Sequence, residues 1–199
     1  MSLRKKDNLF NILNQMSAYF DPSLKNLIQG YIVPDTNVLS LMSYDPDFFK
    51  LFCDLSIRAD ILIDPTAKLE FLRGDFQEHF LSDKLRFLEY EKFQMMLDHY
   101  KIHKDVYDIA LKISRIFAHN GKTNINFGDL LIMARIAIYT VPIILATFDS
   151  DDFGTLIFDR IGIITLDRTT RDKKDTFRII QFLRFNRNKL DTCFEKLPK

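Results

Sequence analysis

The sequence predicts an α/β protein with a mainly parallel sheet. Four short runs rich in Ile and Val have the composition of buried parallel strands. Between them lie stretches whose apolar residues recur at helical spacing, and strands that alternate with helices indicate parallel pairing. The predicted strands are "GYIVP" at 30–34, "ADILID" at 59–64, "VPIILATF" at 141–148 and "IGIITL" at 161–166.

Length and composition indicate one globular domain, or one domain with an appended arm. The chain has 199 residues, of which 47% are hydrophobic and 28% are charged, with only 6 Gly and 6 Pro. Such values are typical of folded chains rich in regular structure. The two cysteines share no motif spacing, which favours a reducing compartment. We find neither a signal-peptide core nor an apolar run of about 18 residues, so we expect a cytoplasmic protein without a membrane partner.

Two regions extend beyond a minimal α/β core. A helix over about residues 3–20 is expected before the first strand, so residues 1–29 are predicted to be an N-terminal helical extension. Residues 75–120 exceed the length of a simple crossover and carry helical periodicity. They predict two or three helices, forming either a lobe over one end of the sheet or a surface for a homodimer.

Charge is distributed unevenly along the chain. Residues 168–199 contain ten Lys and Arg against four Asp and Glu, a net charge of +6, which leaves −5 for residues 1–167. An acidic body with a basic C-terminal arm suits a polyanionic substrate held beside a cation-binding centre. A solvated helix face explains the same tail, and both readings stay open at this point.

Acidic residues recur where the predicted strands end. The carboxyl ends of parallel strands share one edge of a sheet, and ligands bind in the crevice outside that edge. A helix that returns to the next strand also begins there, which adds the acid in "NFGDLLIMARIAIY". Glu70 lies about two turns into the helix that begins near Pro65. The sequence predicts that the following acids lie at this edge: Asp35, Asp64, Asp129, Asp149, Asp151, Asp152 and Asp167.

Each acid alone has an ordinary explanation as a helix cap or loop residue. Asp35 or Asn37 would cap a helix, Asn126 with Asp129 resembles a capping box, and Asp64 before Pro65 is best explained as a cap. Their joint placement favours a cation-binding site, because several carboxylates at one edge repel each other unless a cation neutralises them. Mg²⁺ and Mn²⁺ prefer such oxygen ligands.

The motifs that other reactions require are missing from the sequence. We find no Gly-rich phosphate loop, no G-x-S-x-G elbow and no C-x-x-C pair. Carboxylates alone hold one or two metal ions, and two ions about 4 Å apart promote the attack of water on a phosphodiester. Hydrolysis of nucleic acid is therefore the reaction that the acids favour.

Four segments resemble motifs of the PIN-domain nucleases. "VPDTNVLS", "LEFLRG", "NFGDLLIMARIA" and "ILATFDSDDF" follow the order and approximate spacing of that family over residues 31–167. The chain looks most like the VapC-type branch, whose members are typically the toxin half of a toxin–antitoxin pair. The resemblance implies a three-layer α/β/α sandwich around residues 30–167 that cuts RNA with Mg²⁺ or Mn²⁺.

The resemblance also implies roles for individual residues. The catalytic acids would be Asp35, Glu70, Asp129 and Asp149, with Asp152 as a further metal ligand. Hydrogen bonds from Thr36, Asn37 and Thr147 would orient these acids. RNA and, for a toxin, an antitoxin protein would be the partners. A housekeeping nuclease and a non-catalytic RNA-binding scaffold are the alternatives.

The first cations of the basic arm are the best placed to hold RNA. They follow the fourth predicted strand, whose end lies at the acidic edge. Phosphodiesters are repelled by carboxylates until a metal binds, so outlying cations would hold the backbone of the substrate. These predicted RNA-binding residues are Arg168, Arg171, Lys173 and Lys174.

Overall fold

The computed structural model describes residues 16–73, 78–149, 153–169 and 175–198. In this part of the chain, seven strands form one sheet accompanied by eight helices. The strands are β1 Met16–Phe20, β2 Gly30–Pro34, β3 Ala59–Ile63, β4 Phe93–Met95, β5 Ile143–Thr147, β6 Phe158–Thr169 and β7 Asp175–Phe185. The helices are α1 Leu24–Leu27, α2 Thr36–Tyr44, α3 Pro46–Leu55, α4 Pro65–Leu72, α5 Glu78–Leu88, α6 Tyr100–His119, α7 Phe127–Ile138 and α8 Arg187–Glu195.

The sheet is mixed, with strand order β1-β6-β7-β5-β2-β3-β4. β5, β2, β3 and β4 are parallel neighbours, whereas β7 is antiparallel to both β5 and β6, and β1 is antiparallel to β6. Five of the seven strands therefore run in one direction, since only β1 and β7 are reversed. The predicted α/β class is confirmed.

Apolar side chains cover both faces of the central strands. Ile32 and Ile144 belong to one buried cluster, and Val33 and Leu145 belong to another. Successive side chains of a strand point to opposite faces, so the two clusters lie on opposite sides of the sheet. Burial on both faces explains why these strands are continuous apolar runs. The arrangement is compatible with a three-layer sandwich.

Three of the four predicted strands occur close to their predicted bounds, as β2, β3 and β5. The fourth run, 161–166, lies within the longer β6. That strand points in the same direction as β5 but is hydrogen-bonded only to antiparallel neighbours, β1 and β7. The prediction of a parallel-paired fourth strand was wrong, because β7 inserts between β5 and β6.

The chain ends contribute strands that the sequence patterns did not indicate. Residues 16–20 form β1, so the helix predicted over 3–20 does not reach residue 20, and residues 1–15 lie outside the described part. Residue 168 lies inside β6, and much of the predicted basic arm forms β7 in the sheet. β7 is hydrogen-bonded to β5 on one side and to β6 on the other. Pairing with two distant strands cannot be inferred from the sequence of β7 alone.

Residues 75–120 belong to the core as well as to the surface. Their described part forms α5, β4 and α6, and β4 extends the sheet by pairing in parallel with β3. One side of α6 is buried in the same cluster as α7, through Val106, Ala110, Ile113, Ile116 and Phe117. The helical periodicity was correct, and the short strand was missed.

A buried ion pair joins α4 to α7. The first carboxylate oxygen of Asp64 caps α4 by accepting hydrogen bonds from the backbone N–H groups of Thr66 and Ala67, at 2.7 and 3.2 Å. Its second oxygen accepts a 2.9 Å bond from Arg135 Nε, and both side chains are buried. The cap predicted at Asp64 is confirmed, and the ion pair gives that residue a second structural role.

We predict that Asp64→Ala strongly destabilises the protein. The substitution removes the cap and the buried partner of Arg135, whose guanidinium keeps the more exposed Asp98 carboxylate at 3.3 Å, so we expect a cost of about 3 kcal/mol, the lower end for breaking a buried ion pair. Asp45→Ala is the matched control, because the half-buried Asp45 caps α3 through the Phe48 N–H and forms no ion pair with a described residue. It should cost only about 1 kcal/mol. Equal losses in urea unfolding would contradict a special role for the ion pair.

Candidate active site

The structure places three of the predicted acids directly after strands at one edge of the sheet. β2, β3 and β5 end at Pro34, Ile63 and Thr147, so Asp35, Asp64 and Asp149 follow at the shared carboxyl edge. α7 begins beside this edge, as the contact between Gly128 and Glu70 shows. The edge is therefore acidic, as the sequence predicted.

Asp35 is enclosed, with only 4% of its surface exposed, and unlike the buried Asp64 it has no salt bridge to a described residue. Its Oδ1 caps α2 by accepting a 2.7 Å hydrogen bond from the Val38 N–H. Its Oδ2 accepts a hydrogen bond from the Thr147 hydroxyl. The cap therefore uses one carboxylate oxygen of Asp35 and the contact with β5 uses the other.

Burial raises the pKa of Asp35 to about 6. The hydroxyl of Thr147 and the backbone N–H groups of Val38 and Phe148 oppose the rise by stabilising the charged form. The Asp149 carboxylate adds to it by repulsion. Asp35 is thus surrounded by neutral hydrogen-bond donors and one further anion. A bound cation would offset the repulsion between the two carboxylates.

Thr147 connects two of the acids. While its hydroxyl donates to Asp35, its oxygen accepts a 2.9 Å hydrogen bond from the backbone N–H of Asp149. Thr147 is fully buried at the end of β5. Its side chain therefore restrains both the Asp35 carboxylate and the path of the chain that carries Asp149.

Glu70 reaches the site from α4. Its Oε2 accepts a 2.6 Å hydrogen bond from the hydroxyl of Thr36, the residue after Asp35. Its Oε1 lies 2.3 Å from the position that a Cβ on residue 128 would occupy. Gly128 therefore makes room for the carboxylate, since any side chain at this position would displace it.

Asp129 follows Gly128 in the first turn of α7 and is half-buried. The cap of this helix is Asn126, whose side-chain oxygen accepts a 2.9 Å hydrogen bond from the Gly128 N–H. The capping role suggested for Asn126 is confirmed. Asp129 directly follows Gly128, the residue against which the Glu70 carboxylate packs.

The remaining predicted residues divide into three groups. Asn37 is exposed and lines a cavity between α2 and β7. Asp167 and Arg168 lie within β6, so Asp167 does not end a strand. Outside the described residues lie Asp151, Asp152, Arg171, Lys173 and Lys174.

The metal site remains a prediction on this geometry. Among the described residues, no three His, Cys, Asp or Glu side chains are arranged closely enough to hold one ion. The donor chemistry nevertheless fits Mg²⁺ or Mn²⁺, because the adjacent Asp35 and Asp149 supply anionic oxygens and Asp35 is buried. Glu70 is joined to this pair through Thr36.

Two cavities flank the acids. One, of about 580 Å³, has Glu70, Gly128 and Arg135 in its wall. The other, of about 410 Å³, lies between α2 and β7 and is lined by Asn37, Ser40, Tyr44, Phe148 and residues 177–179. We call the second the α2–β7 groove. Of the groove residues, only Asn37 was predicted from the sequence to have a role at the site. Gly128 in the wall of the first cavity was missed, although its place directly before Asp129 in "NFGDLL" was a possible signal.

Comparisons with models of protein families, with curated proteins and with solved structures found no match for this chain. The likeness to PIN-domain nucleases accordingly rests on the four sequence segments described above. Among the described helices, none combines the length and apolar character needed to cross a membrane.

We predict that Asp35→Asn stabilises the protein at high pH. An acid whose pKa is raised from 3.8 to about 6 by folding opposes folding above pH 6 and ceases to do so below about pH 4. The difference corresponds to at most about 3 kcal/mol. Urea unfolding should therefore show the variant more stable than the parent at pH 8, with the gap closing toward pH 4.

The exposed Asp60, at the start of β3, provides the control. Asp60→Asn should leave the free energy of unfolding nearly unchanged at both pH values. A stability difference between Asp35→Asn and the parent that does not vary with pH would show that burial of the charge is not its cause.

Proposed function

We propose that this protein is a metal-dependent endoribonuclease that hydrolyses phosphodiester bonds of RNA. The observation that carries the proposal is the buried Asp35 carboxylate, held by neutral donors beside the carboxylate of Asp149. Folding such an anion next to another is unfavourable unless the site serves a cation. A carboxylate pair at the ligand-binding edge of an α/β sheet is a candidate active site.

The chain's own residues would hold and orient the ion. Asp35 and Asp149 would provide ligands, while Thr147 and the Val38 N–H keep Asp35 fixed. Glu70, restrained by Thr36, and Asp129 at the start of α7 would complete the acidic wall. A bound Mg²⁺ or Mn²⁺ supplies activation of the attacking water and stabilisation of charge on the phosphate.

RNA is the proposed substrate because of the motifs. The segments around Asp35, Glu70, Asp129 and Asp149 resemble those of PIN-domain nucleases, which cut RNA. The VapC-type likeness extends the proposal to the toxin of a toxin–antitoxin pair, with an antitoxin as partner. A housekeeping nuclease would use the same chemistry on a different cellular target.

The first test is cleavage of single-stranded RNA in the presence of Mn²⁺. Wild-type protein should cut the RNA at internal positions, and a chelator should abolish the reaction. Asp35→Asn should lower the rate at least about 100-fold, because it removes an anionic ligand while preserving shape. Gel analysis of a circular RNA, which has no ends, reports internal cleavage directly.

Asp60→Asn is again the matched control, since it neutralises an acid of the same sheet away from the carboxyl edge. It should cleave as fast as wild type. Equal cleavage by Asp35→Asn would refute the assigned site, and binding without cleavage would favour the scaffold alternative. Growth arrest on expression of wild type but not of Asp35→Asn would distinguish a toxin from a housekeeping nuclease.

The second test concerns the position of Glu70. Gly128→Ala places a methyl group where Glu70 Oε1 now lies, so the carboxylate must move from its bond with Thr36. We expect about a tenfold or greater loss of cleavage without loss of folding, since Ala is favourable within a helix.

A double-mutant cycle shows whether the loss acts through Glu70. In a Glu70→Ala background, Gly128→Ala should cause little further loss, because the displaced group is already missing. Additive losses would contradict the steric explanation and indicate that Gly128 affects the site by another route.

A further inference from the structure

The α2–β7 groove contains a cation, Arg178 of β7. Arg178 is exposed, and its guanidinium lies over the Phe148 ring, 5.9 Å from the ring centroid. Within the described residues, no carboxylate forms a salt bridge with it. A guanidinium held by an aromatic ring retains its N–H donors for an external anion.

Other groove residues offer contacts for a base and a sugar. Tyr44, at the end of α2, is 55% exposed and presents an aromatic ring to the groove. Asn37 and Ser40 add polar side chains to the same wall. A stacking ring, a guanidinium and small polar groups are the elements that bind single-stranded nucleic acid.

The groove is continuous in the chain with the candidate site. Phe148 lies between Thr147 and Asp149, and Asn37 lies two residues after Asp35. A ligand that contacts Arg178 over Phe148 is therefore next to the acids. The second cavity, beside Glu70, flanks the acids as well, so a strand could extend past them in both directions.

We propose that the α2–β7 groove binds one nucleotide of single-stranded RNA next to the bond that is cut. Arg178 contacts a phosphate of this nucleotide, and Tyr44 stacks on its base. The inference rests on the proposed function for the identity of the polymer. A guanidinium beside an exposed aromatic ring matches the phosphate and base of a nucleotide, and the high charge density of a polyanion favours it over a second copy of this chain, whose net charge is only +1.

The test is binding of a fluorescein-labelled single-stranded oligouridine, measured by fluorescence anisotropy in chelator so that no cleavage occurs. Arg178→Gln should reduce the slope of log affinity against log salt by about 0.7, the value for one phosphate contact on a single strand. Tyr44→Ala should weaken binding by roughly 5- to 150-fold, the effect of one lost stacking contact. Tyr44→Phe keeps the ring and should bind like wild type.

Two controls match these changes. Arg58→Gln removes an exposed cation that precedes β3, outside the groove, and should leave the salt slope unchanged. Tyr100→Ala removes an exposed ring at the start of α6, and should leave the affinity unchanged. Both sites are exposed, as are Arg178 and Tyr44, so the variants at all four sites should unfold at nearly the wild-type temperature.

The outcomes separate this inference from the nuclease proposal. Unchanged binding by both Arg178→Gln and Tyr44→Ala would refute RNA binding in the groove, even if wild type cleaves RNA with Mn²⁺. Weakened binding by both, with no cleavage by wild type under any metal, would support the groove and overturn the nuclease. A change of oligomeric state in light scattering, with RNA affinity unaltered, would assign the groove to a second copy and refute the inference.

Discussion

The buried ion pair between Asp64 and Arg135 is the interaction on which the arrangement of the site depends. It fixes the start of α4 against α7, and the close approach of Glu70 to Gly128 fixes the same helices again about two turns away. Two contacts set the relative position of the helices better than one. Glu70 is thereby held near the end of β2, although it lies on a different element from Asp35.

Asp35 illustrates how one residue can satisfy a structural and a chemical requirement together. Its carboxylate caps the start of α2 by accepting a hydrogen bond from the Val38 N–H. It also accepts a hydrogen bond from the Thr147 hydroxyl, which joins the ends of β2 and β5. Because these parallel strands are paired in register, with Pro34 opposite Ala146, the two side chains meet at the edge. The raised pKa of Asp35 is the electrostatic consequence of burying the carboxylate there.

The position of β7 changes how the basic end of the chain should be interpreted. Sequence composition described residues 168–199 as an arm, yet β7 lies between β5 and β6 and presents Arg178 beside Phe148. A cation of this region is therefore carried by the sheet itself. Its closeness to the acids follows from antiparallel pairing of β7 with β5, in which Gln181 is opposite Thr147.

The sequence by itself determined the α/β class, the strands β2, β3 and β5, and the acids that follow them. These features are local, because a continuous apolar run buried on both faces and the residue after it can be read from one segment. Only the tertiary structure decided that residues 16–20 and 175–185 are strands, that Asp64 pairs with Arg135, and that Gly128 accommodates Glu70. Each of these depends on partners distant in the chain, and no local periodicity encodes which segments meet.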